Sequence, residues 1–231
     1  SFDLTTFYKD IQGQIQVQRI TTATTSTASS YLVLQNGDFA TTKGVEFTLR
    51  LRRVQRLQGT LNYTLSDAQG TGWSLNSAVA SVDQSSFIPT FISPLAFNQA
   101  HRGSMNLDFR FAENDGGPIL ERLGASLLFT FSSGHNFTKA KANSAGGQRG
   151  PDEGGILADD DPRTRRPEGA VNSQTTPWIF QLDMKLDKTV RIGDMFDVNL
   201  YIYVQNLLNT KNVYNVYSRS GVADDDGFLS N

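Results

Sequence analysis

Two histidines, His101 and His135, stand in a chain of 231 residues without a single cysteine. Side chains able to do acid-base, nucleophilic or metal chemistry near neutral pH are therefore scarce. His101 opens a strand-like segment and His135 sits where another gives way to a loop. No metal-ligand spacing joins them, and each reads as a rim histidine hydrogen-bonded to its neighbours. Residues 124–128 (GASLL) begin like a nucleophile elbow but lack the second glycine and a following helix. The stretch GTG at 70–72 is a loop, not a phosphate cradle. The acidic runs 159–161 and 224–226 lack the alternating arrangement of a helix-loop-helix calcium site and read as solvated loop charge. Arg163, Arg165 and Arg166 lie beside the first run. They are able to grip an anionic ligand, although pairing with the adjacent aspartates is the simpler reading. No catalytic residue, cofactor or metal site is expected, and the chain is not read as an enzyme.

Composition narrows the class further. A formal net charge of -2 lacks the basic footprint of a nucleic-acid binder, so no nucleic-acid partner is expected. The absence of cysteine excludes disulfide scaffolds and thiolate sites. No apolar run approaches the roughly 20 residues of a membrane helix. A membrane barrel remains open, because its strands need only about 10 alternating residues each.

Alternation is what the chain shows. Val45, Phe47, Leu49 and Leu51 alternate with Gly44, Glu46, Thr48 and Arg50. After a short turn near 53–56, Leu57, Leu61, Tyr63 and Leu65 alternate with Gln58, Thr60, Asn62 and Thr64. Successive strand residues point to opposite faces, so these segments predict a hairpin with one apolar and one polar side. The pattern recurs with Met105, Leu107, Phe109 and Phe111 against Ser104, Asn106, Asp108 and Arg110, and with Leu123, Leu127, Phe129 and Phe131 against Gly124, Ser126, Thr130 and Ser132. It recurs again with Trp178, Phe180, Leu182, Met184 and Leu186 against Gln181, Asp183, Lys185 and Asp187. The last such segment sets Phe196, Val198, Leu200, Ile202 and Val204 against Asp197, Asn199, Tyr201, Tyr203 and Gln205. Weaker strands at about 2–18 and 31–39, the latter running on to about 52, bring the set to roughly seven. Phe2, Leu4 and Tyr8 fall out of phase with Ile11, Ile15 and Val17, which predicts a bulge.

Short connections at 53–56, about 112–121 and about 188–195 alternate with long polar ones at 19–30, 68–98, 133–176 and from 218 onward. Tight turns at one rim and long loops at the other are the plan of an outer-membrane barrel, whereas a soluble sandwich with similar alternation rarely carries such loops. The fold class expected is all-β: about seven antiparallel strands of a larger transmembrane barrel. The chain opens in mid-strand and stops in a polar stretch, so residues 1–231 are expected to be a partial barrel. Gly44 and Gly59 are placed among inward-facing positions, and Asn206 is expected to bond its own backbone and end a strand.

Residues 1–15 with FYKDI, 36–50 (NGDFATTKGVEFTLR), 97–111 (FNQAHRGSMNLDFRF), 129–138 (FTFSSGHNFT) and 204–214 (VQNLLNTKNVY) together resemble the C-terminal barrel portion of a TonB-dependent outer-membrane receptor. The resemblance implies a barrel of about 22 strands around an N-terminal plug, with plug and final strand outside this chain, in the bacterial outer membrane. It implies energy-coupled import of a scarce nutrient: an iron chelate, vitamin, glycan or peptide. The partners it implies are outer-membrane lipid, an energy-coupling protein acting through the plug, and the nutrient, with a surface lipoprotein or second barrel chain as a further candidate. A passive channel or structural subunit of a surface complex is the alternative.

On that plan Val45, Phe47, Leu49, Leu61, Tyr63, Leu107, Phe109, Phe111, Leu127, Phe129, Phe131, Trp178, Phe180, Leu182, Phe196, Val198, Leu200, Ile202 and Val204 face lipid. Glu46, Asn62, Asp108 and Asp183 are lumen-facing candidates. Phe87, Phe91, His135, Arg163, Arg165 and Arg166 are the candidates for ligand contact from the loops.

Overall fold

A computed structural model describes residues 1–23, 28–72, 91–140, 167–193 and 195–227. The strands are β1 (Phe2–Ala23), β2 (Ala28–Val54), β3 (Leu57–Gly70), β4 (Ser93–Pro94), β5 (His101–Arg110), β6 (Leu123–Ser132), β7 (Asn136–Phe137), β8 (Gln174–Thr175), β9 (Ile179–Ile192) and β10 (Phe196–Val204). One short helix, α1 (Gly117–Leu120), lies between β5 and β6. Seven strands pair in the order β1-β2-β3-β5-β6-β9-β10, every neighbour antiparallel, with β4 added to β3. The sheet does not close on itself, and β1 and β10 are its two edges.

The register unites the separate alternations into two continuous faces. Leu4 lies opposite Phe47 and Phe47 opposite Tyr63. Farther along the sheet, Leu107 lies opposite Leu127, Leu127 opposite Met184, and Met184 opposite Val204. All of these belong to one apolar face. A single slipped residue in any strand would have moved its apolar set to the other face. No second sheet covers this face among the described residues, and Leu49, Phe109, Phe180, Phe196, Leu200 and Ile202 remain exposed on it.

The buried apolar residues sit instead where loops meet the sheet, in the clusters Ala40, Ala68 and Leu95, and Phe137 with Val216. Aromatic pairs bridge the apolar face, with Tyr63 and Phe131 (ring centroids 6.3 Å apart) on either side of Gly103. Aromatic side chains there cover the gap that a glycine leaves in a sheet.

Local departures have local causes. The expected bulge in β1 appears between Ile11 and Ile15, where Gly13 adopts φ 70 and the pairing shifts. The slip adds a residue on β1 before Gln14 and one on β2 after it, so the original register is restored at Ile15. The hairpin β1-β2 is longer than expected: residues 19–23 and 28–30, assigned to a loop from composition, continue the ladder. Polar residues extend a strand when the ladder itself supplies their hydrogen bonds.

Gly44 takes its expected place on the polar face, where a Cβ would stand 2.5 Å from the Leu65 carbonyl oxygen and 2.6 Å from the Phe7 ring. Gly59 is a correction. It lies opposite Leu51 and Leu107, on the apolar face, under the Leu107 side chain. It shares the parity of Leu57 and Leu61, which places it on the apolar rather than the inward side.

The short connections at 55–56, at 111–122 and between Ile192 and Phe196 form one rim, and charge knits it. Arg56 Nε and Nη2 donate to the two carboxylate oxygens of Asp115 at 2.7 and 2.6 Å, joining the first turn to the second, and the guanidinium lies 4.5 Å over the Phe111 ring. Arg122 pairs with Glu113 and, at 3.2 Å, with Asp197 beside the third turn. Lys188 donates to backbone carbonyls of α1. The paired carboxylates hold the Arg56 and Arg122 guanidinia firmly protonated. Arg56 in turn holds the Asp115 carboxyl below its ordinary range. A depressed carboxyl contributes stability above its unfolded pKa of about 3.9 and loses it as pH falls through the lower folded value. Asp115→Asn in the complete protein is therefore expected to lower the thermal unfolding midpoint slightly at pH 7. The difference from the parent should vanish in scans taken well below pH 4.

Candidate functional site

The polar face is where groups able to hold a solute converge. Its strand residues are forced there by the same alternation that puts Phe and Leu on the opposite side. Two open grooves lie on it. The lower, of about 410 Å³ near the short-turn rim, is lined by Arg53, Gln58, Thr60, Asn106, Asp108, Arg110 and Ser126. Its charges are matched: Arg53 pairs with Asp108, Ser126 Oγ donates to Asp108 at 2.8 Å, and Arg110 donates to both oxygens of Asp187 at 2.7 and 2.9 Å. Bidentate arginine-carboxylate pairs fix geometry as well as charge. This groove therefore reads as a strut that ties β2, β5, β6 and β9 across the face.

The upper groove, of about 510 Å³ toward the long-loop rim, is lined by Asn62, Thr64, Arg102, Ser104, Thr130, Ser132 and Ile179, with Gly103 and Phe131 contributing. The register explains the cluster: Thr64, Arg102 and Ser132 lie in one cross-strand row, and Asn62, Ser104 and Thr130 in the next. Asn62 accepts from Thr48 Oγ1 at 3.2 Å and donates to Ser104 Oγ at 3.4 Å.

All four residues expected to face a lumen lie on this polar face, but they do not converge. Glu46 lies opposite Thr64, Asn62 is in the upper groove, Asp108 is in the lower, and Asp183 stands at the β9-β10 edge. Asp183 accepts from Gln181 Nε2, from Tyr203 Oη at 3.2 Å and from the Asn206 backbone N–H at 2.8 Å. Its role is to anchor the chain where β10 ends. Neither Arg102 nor Arg110 was singled out from sequence. Each occupies a polar alternation position beside hydroxyl residues, and only the register shows which neighbours surround it.

Of the loop candidates, Phe87, Arg163, Arg165 and Arg166 lie outside the described residues. Phe91 is exposed ahead of β4. His135 is part of a loop-base clasp, with its backbone N–H donating to Thr176 Oγ1 at 3.1 Å and its Nδ1 3.3 Å from the same oxygen. Gly134 is pressed so close that a Cβ there would stand 1.7 Å from the Thr176 carbonyl oxygen. His101 meets Tyr63 Oη at 2.7 Å and stacks on Trp178 at 5.4 Å, a rim partnership of the kind expected. Trp178 itself stands just ahead of β9 rather than within it.

Farther on, the last strand stops at Val204, just ahead of Asn206, the residue expected to end it. Asn206, at φ 51, accepts from Thr210 N–H at 3.0 Å and donates to the Thr210 carbonyl at 3.1 Å, which closes a turn. Asn212 then bonds both the N–H and the C=O of Phe180 through its side-chain amide, occupying the edge that β10 vacates.

An antiparallel sheet with one uncovered apolar face, one polar face, tight turns at one rim and long connections at the other is the wall of a barrel. Residues 1–207 match the family described as TonB dependent receptor-like, beta-barrel, and the chain belongs to that family. Among solved structures it is similar to the crystal structure of the outer membrane transporter YddB from Escherichia coli, with a TM-score of 0.53 and 13% identity over 90% of this chain. That likeness shows the fold, and the chain spans 26% of that transporter's length. No curated protein matches it.

Asn206→Ala removes two hydrogen bonds and puts a Cβ residue without local support at positive φ. It is expected to cost roughly 1–3 kcal/mol in urea unfolding of the complete protein. Asn206→Gly should recover only the part owed to the backbone.

Proposed function

We propose that the chain is part of the wall of an outer-membrane importer that takes up a scarce nutrient (an iron chelate, vitamin, glycan or peptide) by energy-coupled transport. The observation that carries this reading is the pair of opposed, continuous faces, one apolar and uncovered, the other polar and grooved. A continuous apolar face of this kind is a hazard in water and suits a bilayer. In this reading the apolar face meets outer-membrane lipid, from Val45, Phe47 and Leu49 across to Leu200, Ile202 and Val204. The polar face, with Glu46, Asn62, Asp108 and Asp183, lines the lumen and meets a plug supplied by another part of the protein. An energy-coupling protein acts on that plug. Both edges, β1 and β10, are continued by further strands, because an unpaired edge in hydrocarbon leaves backbone groups unsatisfied. The loops, including Phe91, His135 and the segment that holds Arg163, Arg165 and Arg166, make first contact with the nutrient or with a surface lipoprotein.

Leu127 and Leu128 are sequence neighbours on opposite faces, the first opposite Leu107 and Met184, the second opposite Asn106 and Asp183. In the complete receptor refolded into lipid vesicles, Leu127→Arg is expected to cost about 2–4 kcal/mol, the range for a cation on the lipid face at mid-depth. Leu128→Arg should cost well under half of that. Equal costs would place both faces in the same medium and reject the barrel orientation.

Removing residues 141–166 from the complete receptor is expected to lower uptake or partner binding several-fold while the barrel still assembles and is exported, since the seven-strand ladder pairs without them. Uptake unchanged by that deletion would shift ligand contact to the polar face.

A further inference from the structure

The two grooves on the polar face differ in one respect that bears on what they hold. In the lower groove each arginine has a carboxylate of its own: Arg53 has Asp108 and Arg110 has Asp187. In the upper groove the lining contains one cation, Arg102, and no acid. Among the described residues the Arg102 guanidinium has no ion-pair or hydrogen-bond partner, and its side chain stands exposed in the groove. The nearest carboxylate in its cross-strand row is Glu46, two strands away beyond Thr64, which at ordinary strand spacing is about 10 Å. Around it stand Thr64, Ser104, Thr130, Ser132 and the Asn62 amide.

We propose that this upper groove is a binding site for an oxyanion, a carboxylate or phosphate, carried by a small polar solute. Arg102 supplies the charge and a planar fork of donors that matches two oxygens at once. The hydroxyls and the amide on either side can donate or accept as needed, so they suit a solute with hydroxyl or amide groups next to its acid. Ile179 closes one flank with an apolar wall. The groove's volume of about 510 Å³ lies within the range for small-molecule sites. Its place toward the long-loop rim sets it on the path of a solute arriving past the loops. The inference rests on the importer reading for its location in a lumen, and on the groove's own chemistry for its ligand.

The test uses the complete receptor in detergent micelles and three probes of similar size: glucose, glucuronate and glucose 6-phosphate. Equilibrium dialysis is expected to show one or both acids bound about tenfold or more tightly than glucose. Glucuronate alone, or glucose 6-phosphate alone, would assign the oxyanion to carboxylate or to phosphate. Arg102→Gln should bring the acids down to the level of glucose, and Arg102→Lys, which keeps the charge without the fork, should fall between. Arg50→Gln, on the same face but outside the groove, should leave the preference intact. Equal retention of all three probes, or a preference that survives Arg102→Gln, overturns the proposal. Because binding is read without uptake, a receptor that binds acids but imports nothing refutes only the importer reading. One that imports a nutrient yet shows no preference for acids refutes only this site.

Discussion

The backbone ladder carries this structure, because the described residues form almost no core to share the load. In an ordinary domain apolar burial is the dominant favourable term and the hydrogen bonds add to it. Here the largest fully buried side chains among the described residues are Leu95, Val216 and Ser218, none of them in the middle of the sheet. Seven strands pair in an unbroken antiparallel order, and each strand positions the next. A chain that must satisfy its peptide groups without water has only two solutions, helix or closed sheet. Among the described residues the sheet is open, and β1 and β10 are the two edges where its ladder ends.

Once the ladder is fixed, the two faces and two rims follow, and they do different work. The apolar face is cohesive through aromatic neighbours such as Tyr63, Phe131, Trp178 and Phe180, with no layer of described residues over them. The polar face is held by charge near the short turns and left open near the long loops. The short-turn rim is tied by Arg56, Asp115, Arg122, Glu113 and Asp197, pairs that link successive hairpins at the points where the sheet alone would splay. The long-loop rim is organised by side-chain amides. Asn172 donates to the Pro94 carbonyl at 2.8 Å, and Asn206 and Asn212 finish the β9-β10 edge. Asparagine suits this work because one side chain both donates and accepts, and it tolerates the left-handed backbone at 172 and 206.

Period-two alternation made the strands and their faces legible in the sequence, since strand geometry leaves a side chain only two directions. That is why Phe47, Leu107, Phe129 and Leu200 could be assigned to one face without coordinates, and why the phase slip near Ile11 announced a bulge. The family was legible in motifs spread along the chain, and residues 1–207 confirm it. Ladder length was not legible. Residues 19–23 and 28–30 are mostly polar or small in type yet paired. Composition reports solvent preference, whereas pairing depends on whether a neighbour of equal length is present.

What the sequence determined by itself is the alternation, the class of fold, and which side chains share a face, all properties of one strand at a time. What only the tertiary structure decided is adjacency across strands: that Arg110 meets Asp187, 77 positions away, while Arg102 meets hydroxyls and no acid. The physical reason is register. Parity can be counted along a single strand, but the partner of a residue is set by how far each strand has slid against the next, which turns, bulges and ion pairs fix only when the sheet assembles.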